Sequence, residues 1–357
     1  MADDDGARLF ETIYTTVCDA LDIVREDKAV GVGKERLGSL FVPYAKIGTS
    51  WGGAKKKTRK VKDWVATEKV HGANMQLISD GVSVVPCKRT SVLGDDEPFF
   101  DLEPSGTLDQ LSVLARDLAS RIVSSDDTIV AIAICGELAG GDPPVQQGVF
   151  YSPTLVFYVF DLAALREDAP PEFLPFDQAM ELAGSAGFLC AEPLATGSYQ
   201  ELLGFNLDFP TTLPSRLGLD VPIDALPNTA EGIVIRPAVA SAPRALVKAK
   251  GTSFAEVERA GHDHIRTLQQ ASSASSTLEE PWRPLWYELQ CFLTSARMDG
   301  ARGKLGSAAE LELVLAYTIA DAICDWTEAD PDALPLWTAL TSHSRTSLIQ
   351  EAANLLR

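Results

Sequence analysis

Apolar positions at helical spacing open the chain. Leu9, Phe10, Ile13, Val17, Leu21 and Val24 share one face of a helix over residues 7–25, whose partner surface the sequence does not show. A loop-like stretch follows at 48–60, and from residue 64 the pattern becomes strand-rich. The apolar run 64–66 and the alternating run 75–78 flank T-E-K-V-H-G-A-N (67–74), which places a tight bend between two strands. Residues 82–87 are short and β-branched and end in K-R-T (88–90). Leu108, Leu111, Leu114, Ala115, Leu118 and Ile122 predict an amphipathic helix over 108–123. The continuous apolar run 129–135 reads as a buried strand ending in G-E-L-A-G-G. The run 155–162 reads as a second one, ending at an aspartate. A helix over 176–186 follows, then short strands at 233–235 and 245–249 joined by R-P-A-V-A-S-A-P-R.

After residue 254 the pattern changes. Residues 254–270 read as helix and A-S-S-A-S-S-T (271–277) as a flexible polar linker. Trp286, Leu289, Phe292 and Leu293 then form one helical stripe. Leu311, Val314, Leu315, Ile319 and Ile323 form another, and a last helix starts near Ser342. A mixed α/β domain is thus followed by a small helical one, in keeping with roughly two domains for 357 residues. No internal repeat is visible.

Composition narrows the function. No run of about 18 apolar residues is present, so nothing is expected to span a membrane. The start M-A-D-D-D-G lacks the basic and apolar regions of a secretory signal. The six scattered cysteines form no C-x-x-C pair, which points to reduced thiols in an intracellular protein and away from a metal site. A net charge of -19 argues against non-specific coating of nucleic acid. It leaves room for a local basic groove, and K-K-K-T-R-K-V-K (55–62) is a candidate for phosphate contact beside its alternative as a solvated loop or localisation signal.

The candidate chemistry lies at strand ends: Lys69, Lys88, Arg89, Glu137, Phe160, Asp161, Glu231, Lys248 and Lys250. Such a set would suit a nucleotide and a metal: an amine nucleophile, cations for phosphates, carboxylates for ribose and metal, and an aromatic for the base. Each member alone also fits a turn, a core position or the wet face of an edge strand.

Their order and wording resemble the nucleotidyltransferase motifs of covalent ligases. E-K-V-H-G-A-N looks like motif I, G-E-L-A-G-G like motif III, V-F-Y-V-F-D-L like the adjoining aromatic strand, A-E-G-I-V-I-R-P like motif IV and V-K-A-K-G like motif V. DNA ligases and capping guanylyltransferases typically carry K-x-D-G where this chain has K-x-H-G. K-x-H-G-x-N with K-R-T downstream and a helical C-terminal region resembles the RNA ligase 2 family, which includes the phage double-strand RNA ligase and the kinetoplastid editing ligases. The resemblance is strong over residues 62–257. Beyond it, residues 292–306 resemble the family's helix-loop segment more weakly.

The resemblance implies an α+β fold: a covalent nucleotidyltransferase (adenylation) domain with antiparallel sheets, then a small all-α domain. The expected boundaries are a helical extension at 1–36, an adenylyltransferase domain at 37–265, a linker at 266–280 and the helical domain at 281–357. It implies ATP-dependent joining of 3′-hydroxyl and 5′-phosphate RNA ends, preferably at nicks in duplex RNA, with Mg²⁺ or Mn²⁺. By the family pattern, Lys69 is the nucleophile, its amine made available by Lys248, Lys250 and a bound metal. Glu68 belongs to the nucleotide site. Arg89 contacts phosphate or ribose, Glu137 holds the ribose, Phe160 stacks on adenine, Glu231 organises the metal, and Lys248 and Lys250 hold the AMP phosphate. His71 and Asn74 serve the later steps and position water or metal. In the helical domain Arg297, Arg302 and Lys304 are expected to meet RNA phosphates. The expected state is a monomer, or a subunit of an RNA repair or processing complex.

Departures from the pattern are Met75 where phenylalanine is common, Arg236-Pro237 where lysine-proline is common, an unusual segment after motif III, and the N-terminal extension. Two alternatives stay open: another covalent nucleotidyltransferase (a DNA ligase or capping enzyme), and a non-catalytic RNA-binding scaffold. K-x-H-G and helices in place of an OB-fold disfavour the first; retention of every motif residue disfavours the second.

Overall fold

The computed structural model describes residues 2–23, 35–45, 47–48, 61–238, 245–252, 254, 282–306, 308–330 and 332–357. Val24, the first six residues of the basic run 55–62, the helix read over 254–270 (save Phe254) and the linker at 266–280 lie outside the described residues. The chain divides into two compact units. One comprises residues 28–97 and 101–254, the other residues 1–27, 98–100 and 255–357.

The first unit holds two sheets. Strands β1 (Trp64–Lys69), β8 (Pro193–Gly197), β9 (Gly232–Pro237) and β10 (Val247–Lys250) form a sheet in the order β10-β9-β1-β8. All its pairings are antiparallel. The second sheet orders β3 (Val84–Lys88), β2 (Ala73–Ser79), β4 (Ala131–Gly140), β5 (Leu155–Leu165) and β6 (Glu172–Phe173) antiparallel, with β7 (Leu189–Cys190) parallel to β5. This is the antiparallel α+β arrangement expected. Trp64, Val65 and Ala66 are almost wholly buried, as an apolar strand covered on both faces requires.

Two strands outrun the sequence reading. β4 continues through Gly140, so all of G-E-L-A-G-G but its last glycine lies within the strand rather than after it. Gly136 fits there because a Cβ at that position would come within 2.5 Å of the Phe157 ring. β5 continues to Leu165, which leaves Asp161 in mid-strand. The register between β4 and β5 shifts here: Cys135 pairs with Asp161 and Gly136 with Val159. Phe160 is therefore the extra residue of a β-bulge, a device that re-aims a side chain.

In the second unit the helix Ala2–Ala20 finds its partner. Ile13, Tyr14, Val17 and Cys18 share one buried cluster with Leu285, Leu289, Ile319, Ile323, Trp326, Leu348 and Ile349. The helices carrying these residues are Arg283–Leu289, Leu311–Ala329 and Ser342–Leu356. The Phe10 and Tyr14 rings also lie 5.2 and 5.7 Å from Tyr317. The N-terminal helix is thus an integral part of the helical unit's core.

No helix among the described residues is long and apolar enough to cross a membrane. All six cysteines are free thiols, with Cys18, Cys87, Cys135 and Cys190 buried.

Candidate active site

Strand register assembles the reactive end of the site. Lys69, the last residue of β1, pairs with Gly232 of β9, and Gly232 pairs on its other side with Lys250 of β10. The two lysines therefore flank one glycine, and the residue before that glycine is Glu231. A side chain at 232 is excluded: the position has φ +148°, and a Cβ would lie 2.1 Å from the Ala249 carbonyl oxygen. Three groups converge on the Glu231 carboxylate. Lys69 Nζ lies 2.5 Å from Oε2, His71 Nδ1 3.4 Å from Oε2 and Lys250 Nζ 3.6 Å from Oε1. Burial alone would push the Glu231 carboxyl up, but the hydrogen bonds and charges of His71 and Lys69 outweigh it and hold it at about 2. Glu231 is consequently ionised at any neutral pH.

The bend after Lys69 brings His71 back over the same carboxylate. Gly72 permits the turn, since a Cβ there would sit 2.2 Å from the Leu138 carbonyl oxygen. The His71 backbone N–H donates to the Tyr151 hydroxyl at 2.8 Å, and its ring meets Phe254 edge-on at 5.3 Å.

The second sheet supplies the facing wall. Asn74 of β2 pairs with Glu137 of β4, which pairs with Tyr158 of β5. Burial, the largest influence, pushes Glu137 up to about 7; Glu231 adds to the rise, while Lys69, the Gly72 N–H and Arg89 oppose it. Asn74 Oδ1 is buried without a hydrogen-bond partner. Between the walls lies a cleft of about 770 Å³, counting its open mouth. Its lining brings together Glu68, Lys69, Asn74, Arg89, Glu137, Phe160 and Lys248 from the residues expected by sequence.

Other partners were not legible in the sequence. Tyr44 borders the cleft from a segment upstream of every motif, donates from its hydroxyl to Asp161 Oδ2 at 2.5 Å and meets the Phe160 ring edge-on. Arg236 is buried, and its Nη1 donates to the Phe160 carbonyl at 2.7 Å and to Asp161 Oδ1 at 3.1 Å. The arginine thereby satisfies a carbonyl at the bulge. Glu68 borders the cleft, yet its carboxylate is taken up by the Thr212 backbone N–H at 2.9 Å, the Thr212 hydroxyl at 2.6 Å and the Thr211 hydroxyl. Lys88 pairs with Glu97 at 2.6 Å.

The three cations expected to meet RNA have varied surroundings in the helix Ser295–Leu305. Arg297 is locked by Asp321 and by Asp325, the latter at 2.8 Å, and donates from Nε to the Phe292 carbonyl at 2.9 Å. Lys304 lies over the Tyr317 ring at 5.2 Å. Arg302 is exposed beside Asp299 at 3.4 Å.

A divalent ion fits this site as a hard, oxygen-seeking one. Oxygen donors of the kind it would need are present in the ionised Glu231 carboxylate, which carries Lys69, His71 and Lys250 here, and in the buried Asn74 Oδ1, which has no hydrogen-bond partner. Among the described residues no group of three or more His, Cys, Asp or Glu forms a ready-made cage. Such an ion would keep waters and share phosphate oxygens with a nucleotide.

Residues 62–250, just over half of the chain, match the family model described as RNA ligase. Curated relatives include RNA-editing ligase 2, mitochondrial, of Trypanosoma brucei brucei, 29% identical over 244 residues, covering 56% of this chain and 55% of that protein. RNA-editing ligase 1, mitochondrial, of the same organism is 27% identical over 245 residues, covering 56% of this chain and 51% of that one. The chain thus spans about half the length of the curated relatives it matches. Among solved structures, a mutant RNA ligase of Naegleria gruberi with ATP and Mn aligns at a TM-score of 0.41 and 14% identity, covering 67% of this chain and 66% of that one.

Proposed function

We propose, from the premise that this chain belongs to the RNA ligase family, that it is an ATP-dependent RNA ligase. It joins 3′-hydroxyl to 5′-phosphate ends, at nicks in duplex RNA, through an AMP carried on Lys69. The observation that carries the reading is the meeting of Lys69, His71 and Lys250 on the single carboxylate of Glu231, at the edge of a cleft with Phe160 within it. The names of the trypanosome relatives, which are RNA-editing ligases, support RNA as the polymer.

In the first step Lys69 Nζ attacks the α-phosphorus of ATP. The N–P bond forms, the bond to pyrophosphate breaks, and the amine's proton passes to solvent water or to the departing pyrophosphate. Glu231, ionised far below neutral pH, is too weak a base to draw that proton efficiently; its part is to hold and orient the amine until the phosphate arrives. Lys248 and Lys250 stand where they can take the charge of the α-phosphate, and Arg89 that of the outgoing phosphates. Phe160, re-aimed by its bulge, offers a ring to adenine, and Glu137 faces the ribose as a carboxyl near its midpoint at neutral pH, able to accept or donate. A Mg²⁺ or Mn²⁺ ion at Glu231 and Asn74 supplies charge neutralisation at the phosphates when bound. AMP then passes to the RNA 5′-phosphate, and a 3′-hydroxyl attacks that phosphorus and releases AMP. Of the three cations in the helix Ser295–Leu305, Arg302 is the exposed one and the one offered to an RNA phosphate.

The test is incubation with ATP or GTP labelled at the α-phosphate, with intact-protein mass spectrometry. One AMP per chain is expected, from ATP and not GTP, stable to denaturation and lost on acid treatment. Lys69→Ala should abolish it. An adduct that persists in Lys69→Ala removes the assignment.

A further inference from the structure

We propose that Asn228 is a positioning residue for the lysine nucleophile, acting as a clamp that joins the segments holding the chain on both sides of Lys69. The inference rests on the ligase reading above and goes beyond its motifs, to which Asn228 does not belong.

Asn228 is buried and does not border the cleft. Its side-chain amide grips the Phe150 backbone at both polar groups: the Phe150 N–H donates to Oδ1 at 2.8 Å, and Nδ2 donates to the Phe150 carbonyl at 2.7 Å. Its own carbonyl accepts the Thr211 N–H at 3.0 Å. One residue thereby ties together loops that are distant in sequence, around 150, 211 and 228.

Each tied loop reaches the nucleophile. Next to Phe150 stands Tyr151, whose hydroxyl takes the His71 N–H just after Lys69. Thr211 and Thr212 together hold the carboxylate of Glu68, just before Lys69. Three residues after Asn228 comes Glu231, the partner of Lys69 itself. The Ala230 N–H donates to the Phe209 carbonyl at 2.9 Å and the Gly251 N–H to the Glu231 carbonyl at 2.9 Å, which fixes the stretch carrying that carboxylate. The residue before the nucleophile, the turn after it and the carboxylate facing it are thus referred to one buried residue, through its side-chain amide at Phe150, its backbone carbonyl at Thr211 and the short chain to Glu231.

Only a side chain that both donates and accepts can serve here. Alanine leaves the two Phe150 backbone groups without their partner. Aspartate keeps an acceptor for the N–H but turns an acceptor against the carbonyl. In-line attack on phosphorus is sensitive to placement, and a displacement of about 1 Å costs on the order of a hundredfold.

The test follows single-turnover formation of lysyl-AMP by the full chain against ATP concentration, for wild type, Asn228→Ala, Asn228→Asp, Tyr151→Phe and Thr211→Val. Melting curves and near-UV circular dichroism establish that each variant is folded. Asn228→Ala and Asn228→Asp should lower the limiting rate by about tenfold or more, with half-saturating ATP changed by less than about threefold. Tyr151→Phe and Thr211→Val, which each release one arm, should lower it less. Tyr151→Phe should cost less in the Asn228→Ala background than in wild type, a non-additivity that general destabilisation does not produce, whereas Thr211→Val, whose tie is to the Asn228 backbone carbonyl, should add to Asn228→Ala. If Asn228→Ala does not fold, the single-arm variants decide. A folded Asn228→Ala with a normal limiting rate overturns the proposal. So does a normal rate in both single-arm variants, or a loss confined to ATP affinity. A wild-type chain that forms no adduct removes the ligase reading and this inference with it, whereas a normal wild type beside normal variants removes the inference alone.

Discussion

Cations in the two units of this chain have opposite fates. In the two-sheet unit Lys69, Arg89 and Lys248 border a cleft, and Lys69 and Lys250 share one carboxylate from strands on either side of β9. In the helical unit Arg297 is locked between two aspartates one helical turn apart, and Lys304 lies on a tyrosine ring. The first set stays near a space that a triphosphate would fill. In the second, Arg297 is already paired within its own fold and Lys304 is seated on a ring, which leaves Arg302 as the exposed one of the three. Basic residues close together in sequence therefore say little about anion binding until their partners are known, and a strand-end cation facing a cleft is the better indicator.

The largest effect expected from this contrast concerns the helical unit's dependence on the N-terminus. Deleting residues 1–23 uncovers the partners of Ile13, Tyr14 and Val17, which are 1%, 7% and 0% exposed. At about 1.5–3 kcal/mol for each large side chain, the helical unit should lose several kcal/mol. Hydrogen exchange should show lost protection in the helix Leu311–Ala329, while lysyl-AMP formation persists. A fragment meant to isolate the two-sheet unit should accordingly begin at 28 and end near 254. Full retention of protection in the deleted chain would separate the N-terminal helix from this core.

Next comes Glu231→Ala, which takes away the carboxylate holding Lys69. Adduct formation should fall by about a hundredfold, the usual scale for losing a preorganised charge at a transition state. Quenched-flow measurement of labelled protein would show it, and an effect below about threefold would mean that the ion pair is incidental.

Arg297→Ala should act on stability and leave RNA binding alone. The pair is partly exposed, so a loss of about 2 kcal/mol is expected, less than for a fully buried one. Arg302→Ala should do the reverse, leaving the melting temperature unchanged and lowering the salt dependence of RNA binding by about one phosphate contact. Interchanged results would show that Arg297 is available to RNA after all.

The smallest effect is a pH slope. Glu137 has its carboxyl raised from 4.5 to about 7 by burial, so its contribution to stability is complete below about 4.5 and is lost as pH rises through about 7. The carboxyl borders an open cleft, so a change on the order of 1 kcal/mol is expected. Glu137→Gln should flatten melting temperature between these pH values; an unchanged slope would place the titration elsewhere. Glu231, held at about 2, has the opposite sign: its contribution is present above about 4.5 and is lost as pH falls through about 2.

The strands and the residues of the cleft were legible because their pattern is local. An apolar run such as 64–66 reads as strand, and Lys69, Glu137 and Glu231 stand in short, ordered motifs. What register decides was hidden. Lys69 and Lys250 meet because both oppose Gly232, and Phe160 turns because β4 and β5 slip by one residue beside it. Neither relation is written in either strand alone. Tertiary partners were hidden for the same reason. Tyr44 carries no motif, Arg236 stood as a lysine substitute until Asp161 was found against it, and Arg297 stood as a basic residue until Asp321 and Asp325 were found on the next helix. The N-terminal helix announced an apolar face without saying what covers it.

That last feature has a bearing on how the chain is made. The helix Ala2–Ala20 is synthesised well before the helix Leu311–Ala329 against which it packs, with residues 21–310 coming between them. At roughly 5–20 residues per second, the delay on the ribosome is on the order of tens of seconds. Through that interval Ile13, Tyr14 and Val17 have no native cover, while the strands between them and their partners are being translated. Holding that face in reserve is a task for the cell's chaperones, and slowed translation downstream of residue 254 would lengthen it.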